Sequence, residues 1–204
     1  MVRIVDLSLG QRALIKNMSD EVLDLQFAHI SSKIILAVIE QAVLRVFTVA
    51  IVNEKIVCTV LLIISDPIDS HIPVCDKIAW CPYLQDNGYE DEYASQLLVW
   101  TRGDVFQCYS ISAVVQHYDC WLIDAKDITE GGFKVNLPNI TGAVFSADGT
   151  TLAVSCDEGI IRFYQIYQHT NDNNLRCLHQ WKPHGGKTIS SFFFLDNYTE
   201  QGAE

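Results

Sequence analysis

Apolar and polar residues alternate along this chain in short stretches broken by turn residues. Val22-Leu23-Asp24-Leu25-Gln26-Phe27 has period two, with Leu23, Leu25 and Phe27 on one face and Asp24 and Gln26 on the other. That is the signature of a strand. Ser31-Ser32 marks a turn, residues 34–38 are wholly apolar, Glu40-Gln41 marks another turn, and residues 44–49 read as a strand again. A longer strand over 55–64 follows the Val52-Asn53-Glu54 turn. A second set of strands covers 77–80, 96–100 and 105–110, and a third covers 142–155 and 159–166, with an Asp148-Gly149 turn inside it. Residues 2–7 read as a strand before the first set. Residues 175–181 read as an outer strand, and 189–195 as the opening strand of a further unit. Little helix is expected, and 117–127 reads as a short turn or an irregular outer strand.

The third strand of each set recurs. Val43-Leu44-Arg45-Val46-Phe47-Thr48-Val49 matches Ile160-Ile161-Arg162-Phe163-Tyr164-Gln165-Ile166, and Val105-Phe106-Gln107-Cys108-Tyr109-Ser110-Ile111 is a weaker middle copy. Alternation puts Arg45, Gln107 and Arg162 on the same face as Phe47, Tyr109 and Tyr164. Four-strand sets with a similar third strand favour a propeller over a sandwich. Strand, Asp148-Gly149 turn, strand, tight turn, strand has the shape of the inner part of a WD40 blade. Phe47, Tyr109, Tyr164, Asp148 and Gly149 are the expected structural blade positions. The expected fold is all-β, a partial WD40-type β-propeller of about three full four-stranded blades plus flanking strands. It would occupy residues 1–197, with 198–204 a disordered polar tail. About four to eight blades are needed to close a propeller. The chain is therefore expected to be a piece of a longer protein whose missing blades complete the ring, and to expose strand edges when alone.

Composition narrows the function. With 25 acidic against 14 basic residues the net charge is −11, and no run of Lys or Arg occurs. Phosphate backbones are bound by cations, so direct nucleic-acid binding is disfavoured. No run of about 18 apolar residues suggests a membrane span, and the first residues hold no apolar stretch of signal-peptide length. Seven cysteines at irregular spacing, without a Cys-x-x-Cys pair, read as reduced and mostly buried thiols. The sequons at Asn17, Asn139 and Asn197 matter only for a secreted chain.

Catalytic motifs are thin. Gly186-Lys187-Thr188 resembles the tail of a phosphate-binding loop, but Trp181 stands where its first glycine belongs, and a Gly-Gly turn is the simpler reading. Cys177, His179 and His184 lack a matching Cys/His pair for zinc. No Gly-x-Ser-x-Gly elbow is present. No enzyme and no cofactor are expected. Trp80 and Trp100 sit in apolar strands and read as core. Trp121 and Trp181 adjoin polar residues and are candidate surface anchors, and Trp181-Lys182-Pro183-His184 is a partly basic loop. The candidate partner contacts are Trp181, Lys182, His184 and Trp121. The acidic segment 85–92 reads as a solvated loop, with docking of a basic partner as its alternative.

One segment is more particular. Arg176-Cys177-Leu178-His179-Gln180-Trp181-Lys182-Pro183-His184, with Phe163-Tyr164-Gln165-Ile166-Tyr167, Ile78-Ala79-Trp80-Cys81-Pro82 and Leu25-Gln26-Phe27-Ala28-His29, resembles the WD40 domain of the enhancer of mRNA decapping 4 family. The resemblance spans residues 2–197. It implies a cytoplasmic scaffold of processing bodies that joins the decapping catalytic subunit to its activator proteins and promotes 5′ cap removal. It implies no direct nucleic-acid or membrane contact. The alternatives are a generic WD40 scaffold and an RNA-contacting propeller unrelated to decapping. The family's low-complexity linker and C-terminal helical region have no counterpart here. Gln41, Gly103 and Glu158 stand where WD repeats usually carry Asp, and Phe47, Tyr109 and Tyr164 where they usually carry Trp. The usual His-Ser-Asp-Trp hydrogen-bond tetrad is therefore not expected, and apolar packing between sheets must carry the blades.

Overall fold

The computed structural model describes residues 1–18, 20–28, 34–67, 76–82, 97–166 and 175–195. The Ser31-Ser32 turn, His29, the acidic segment 85–92, Tyr167, Asn197 and the tail 198–204 lie outside the described residues.

A hairpin of β1 (Val2–Val5) and β2 (Arg12–Ile15) comes first. The antiparallel meander β3 (Val22–Phe27), β4 (Ile34–Glu40), β5 (Val43–Val52), β6 (Lys55–Ser65) is blade 1. Blade 2 opens with β7 (Lys77–Trp80), β8 (Leu97–Arg102) and β9 (Val105–Ser110). It is then interrupted by helix α1 (Ile111–His117) and strand β10 (Leu122–Asp124), and is completed by β11 (Gly132–Asn136). Blade 3 is β12 (Ile140–Phe145), β13 (Thr151–Cys156), β14 (Ile161–Gln165) and β15 (Arg176–Trp181). The first strands, β3, β7 and β12, lie side by side.

The turns explain the meanders. Asn53 and Glu54 both have positive φ (50° and 61°) between β5 and β6, as a two-residue hairpin of right-handed twist requires. The turn from second to third strand carries a left-handed residue in every blade: Ala42 (φ 67°), Gly103 (φ 56°) and Gly159 (φ 68°). The chain leaving each blade is tied back onto that turn. Asp66 N–H donates to the Ala42 carbonyl (2.9 Å), Ile140 N–H to that of Gly103 (2.8 Å), and the Thr188 hydroxyl to that of Asp157 (2.9 Å). In the Asp148-Gly149 turn, Asp148 accepts from the Ser146 hydroxyl (2.6 Å) and from Thr150 N–H (3.1 Å), and Gly149 takes φ 68°. Those hydrogen bonds, the Ser146 hydroxyl first, hold the Asp148 carboxyl below the ordinary range.

Each sheet buries both faces. Ile35, Ala37 and Ile39 of β4, with Leu44 and Val46, pack against Ile78, Trp80, Leu98, Trp100 and Tyr109 of blade 2. The opposite face of blade 2, through Val99, Phe106 and Cys108, packs on Leu152, Val154, Tyr164 and Ile166 of blade 3. The outer face of blade 1, through Leu36, Val38, Phe47 and Val49, is covered by Val2 and Ile15 of the hairpin. Phe47, Tyr109 and Tyr164 are thus buried, each facing the unit that precedes its blade. Phe106 and Tyr164 meet across the blade 2–3 interface at 5.7 Å between ring centres. Of the described cysteines, Cys81, Cys108 and Cys156 are buried, Cys58 is half-buried, Cys120 and Cys177 are exposed, and none is disulfide-bonded.

Two expectations need correction. Residues 189–195 form no strand: Ile189 is buried on blade 3, with Phe192 and Phe194 packed beside it, but no ladder forms among the described residues. Over 117–127, read as a short turn or an irregular outer strand, the end of a helix (Ile111–His117) is followed by strand β10 and a short 3-10 turn (Ala125–Asp127), and β10 pairs with blade 1, not with blade 2. The Ser110 hydroxyl caps the helix by accepting from Ala113 N–H, and Ile111 and Val114 point into the blade 1–2 core. The true outer strand of blade 2, β11, and the second hairpin strand, β2, were not anticipated. On β3 the polar side is the inward one. Asp24 accepts from Ile78 N–H (2.8 Å) and the Gln26 carbonyl from the Trp80 indole (3.1 Å), while Leu23, Leu25 and Phe27 are 39–46% exposed.

Gly159 tests the tie-back geometry. A Cβ there would stand 2.3 Å from the Lys187 carbonyl oxygen, on a left-handed backbone. Gly185 has a similar φ of 62° but nothing within 4 Å. Gly185→Ala should lower the urea-unfolding free energy by about 1–3 kcal/mol, the cost of backbone strain alone, and Gly159→Ala by clearly more, because the clash with Lys187 adds to it. Equal losses would show that the close approach is not made.

Candidate interaction surface

Three features gather the polar and exposed chemistry. The first is a buried network between blades 1 and 2. Asp76 accepts from the Trp100 indole (3.3 Å), and Arg102 lies over the Trp100 ring at 5.4 Å. The Arg102 guanidinium reaches Asp66 (3.5 Å) and Asp76 (3.8 Å). Gln107 donates to Asp66 (2.7 Å), and the Tyr109 hydroxyl donates to Gln107. Burial pushes the Asp76 carboxyl up to about 6 against the opposing pull of Arg102 and the Trp100 bond, and burial likewise raises the Tyr109 phenol. Asp76 is only 3% exposed, so its carboxyl braces β8 within blade 2 and is out of reach of a substrate, while Asp66 links blade 1 to Gln107 and Arg102 of blade 2. This network stands in the middle blade in place of the usual tetrad, and spacing arguments miss it because Asp66 and Gln107 are 41 residues apart.

The second feature is an open groove of about 570 Å³ between the N-terminal hairpin and the outer part of blade 1. Ile15, Phe47 and Ile63 are its buried lining, and Lys16, Val60 and Trp121 its exposed lining. Trp121 is 61% exposed, yet its backbone is fixed: its carbonyl accepts from Ile63 N–H (2.7 Å), and β10 then runs parallel to β6 from Leu122 opposite Ile63. The third feature is the loop after β15. Trp181, 53% exposed, ends a strand whose side chains all face solvent. Lys182 folds along Gly186, whose added Cβ would lie 2.7 Å from the lysine Cε. The His184 carbonyl accepts from Lys187 N–H (3.3 Å). The loop rests on the 157–159 turn.

Trp181, Lys182 and His184 therefore share one end of blade 3, whereas Trp121 belongs to the edge of blade 1. Trp80 and Trp100 are core, at 2% and 0% exposure. Lys16, Met18 and Val60, which join Trp121 in the groove, were not singled out by sequence. The alternation in Arg12-Ala13-Leu14-Ile15 was the available signal. Cys177 and His179 do not converge with His184 on a metal centre, and no group of three or more potential ligands occurs among the described residues. Asn139 is held by Asp157, to which its amide donates (2.8 Å).

Stacked four-stranded antiparallel sheets, inner strands together and aromatic third strands facing the preceding unit, make this a WD40-type β-propeller domain. The fold is similar to that of Chaetomium thermophilum Sqt1, solved bound to the N-terminus of ribosomal protein L10 (TM-score 0.55, 13% identity, 89% of this chain and 43% of that one). It is also similar to a chain of the mitotic checkpoint complex (TM-score 0.53, 9% identity, 92% and 45%). The chain belongs to the family whose model, the WD40 region of Ge1, enhancer of mRNA-decapping protein, matches residues 1–204. It is 42% identical to the Drosophila melanogaster enhancer of mRNA-decapping protein 4 homolog over 97% of its length, and 32% identical to the Homo sapiens enhancer of mRNA-decapping protein 4 over 98%. It spans 15% and 14% of those two proteins.

The buried network sets a pH dependence. With its folded value raised above 3.8 to about 6, Asp76 binds a proton more tightly folded than unfolded. Its contribution to stability is therefore present at low pH and lost as pH rises from about 4 to about 6. Asp76→Asn keeps an acceptor for Trp100 and should flatten the melting temperature against pH across that window. An unchanged slope would show that Asp76 titrates normally.

Proposed function

We propose that this chain is a non-catalytic interaction platform of the mRNA decapping machinery. In this reading it joins the decapping catalytic subunit to decapping activator proteins in cytoplasmic processing bodies, and so promotes 5′ cap removal and mRNA decay. The observation that carries the reading is the family match along the whole chain. The surface supports it. Two exposed indoles, Trp121 and Trp181, are mounted on hydrogen-bonded sheets, as anchors of protein interfaces are. Lys182 and His184 extend the Trp181 contact. The charge of −11 disfavours a phosphate backbone as the ligand.

Affinity-tagged protein expressed in cells should co-precipitate the decapping catalytic subunit and its activators after nuclease treatment. The double variant Trp181→Ala/Lys182→Ala should lower that recovery about tenfold without shifting the melting temperature, because both residues are exposed. No enrichment over an untagged control, or submicromolar RNA binding in a filter assay, would overturn the reading.

A further inference from the structure

We propose that the groove beside Trp121 binds a short acidic segment of a partner protein, seating a bulky apolar side chain against Trp121 and Met18 and a carboxylate at Lys16. The inference rests on the interaction-platform reading above and gives one surface of that platform a ligand chemistry. At about 570 Å³ the groove has the size of a ligand site. Most of its lining residues are apolar by type, although polar atoms make up more than half of its open surface, and Trp121 adds an aromatic ring on a backbone held by β6.

Charge selects the occupant. The chain carries 25 acidic residues, yet none of the groove's described lining residues is acidic, while Lys16 and Arg45 are both basic. Arg45 is ion-paired with the buried Glu40, so the exposed Lys16 is the cation an incoming carboxylate meets. A single exposed cation suits one or two carboxylates on a peptide. It does not suit a nucleic acid, whose affinity comes from many phosphate contacts. A peptide bearing an apolar residue beside a Glu or Asp satisfies the indole, the apolar lining and the lysine together.

The test is fluorescence anisotropy of a fluorescein-labelled probe, Ser-Leu-Glu-Phe-Glu-Leu-Ser, titrated with the intact chain, and of the same probe with Lys in place of each Glu. The acidic probe should bind saturably and more weakly as salt rises. Trp121→Ala and Lys16→Glu should each weaken it about tenfold or more, while Trp121→Phe keeps most of the affinity and confirms that the fold tolerates change at this position. Failure of the acidic probe to bind, unchanged affinity in either variant, or a preference for the Lys probe would overturn the proposal. So would displacement of the probe by oligouridylate, or self-association abolished by Trp121→Ala. If decapping factors are not recovered but the probe binds as described, the platform's assignment to decapping fails and the groove stands. If they are recovered and the probe does not bind, the groove proposal alone fails.

Discussion

The whole structure depends on apolar sheet faces closing on one another. A strand in a sheet covered on both sides must be apolar at successive positions, and Ile35 to Ile39 are: odd positions enter the blade 1–2 core and even positions the hairpin core. β8 does the same, sending Leu98 and Trp100 one way and Val99 the other. Each large side chain so buried contributes about 1.5–3 kcal/mol, so the interfaces hold most of the stability. Polar groups enter the blade 1–2 interface as a network, in which Asp76 Oδ1 and Arg102 Nε make no hydrogen bond. Removing Arg102 would leave Asp76 and Asp66 facing each other in the interior, the kind of loss that costs about 3–5 kcal/mol.

The excursion of blade 2 through α1 and β10 is a second constraint. It leaves its own sheet, lays Ile111 and Val114 over the interface, and returns along the outer edge of blade 1 as a parallel strand. That edge is thereby covered, as sheet edges need to be, and the two blades are clasped by chain as well as by packing. The clasp also fixes Trp121 at the mouth of a groove whose other wall is the N-terminal hairpin. The backbone that carries this indole is ordered before a partner arrives, which favours it as an anchor.

Much of this architecture was legible in the sequence because it rests on period-two alternation and on a repeated third strand. Phe47, Tyr109 and Tyr164 occupy equivalent buried places, and Asp148-Gly149 closes a hairpin. What was not legible depends on long-range geometry. β11 is short and polar-flanked, and only its pairing with β9 defines it. The stretch 189–195 is rich in aromatic residues, as strands are, but pairs with no strand among the described residues. The groove combines residues 13–18, 45–63 and 121, a set no local pattern predicts. Trp121 alone could be picked out, as an aromatic among polar neighbours.

Hydrogen exchange resolved by strand tests the stacked-sheet account most directly. β4, β8 and β13, flanked by strands within their sheets and covered on both faces, should exchange most slowly and together, while β15 and residues 189–195 exchange fastest. Protection spread evenly along the chain, or greatest in β15, would contradict the claim that apolar closure between successive sheets holds this domain together.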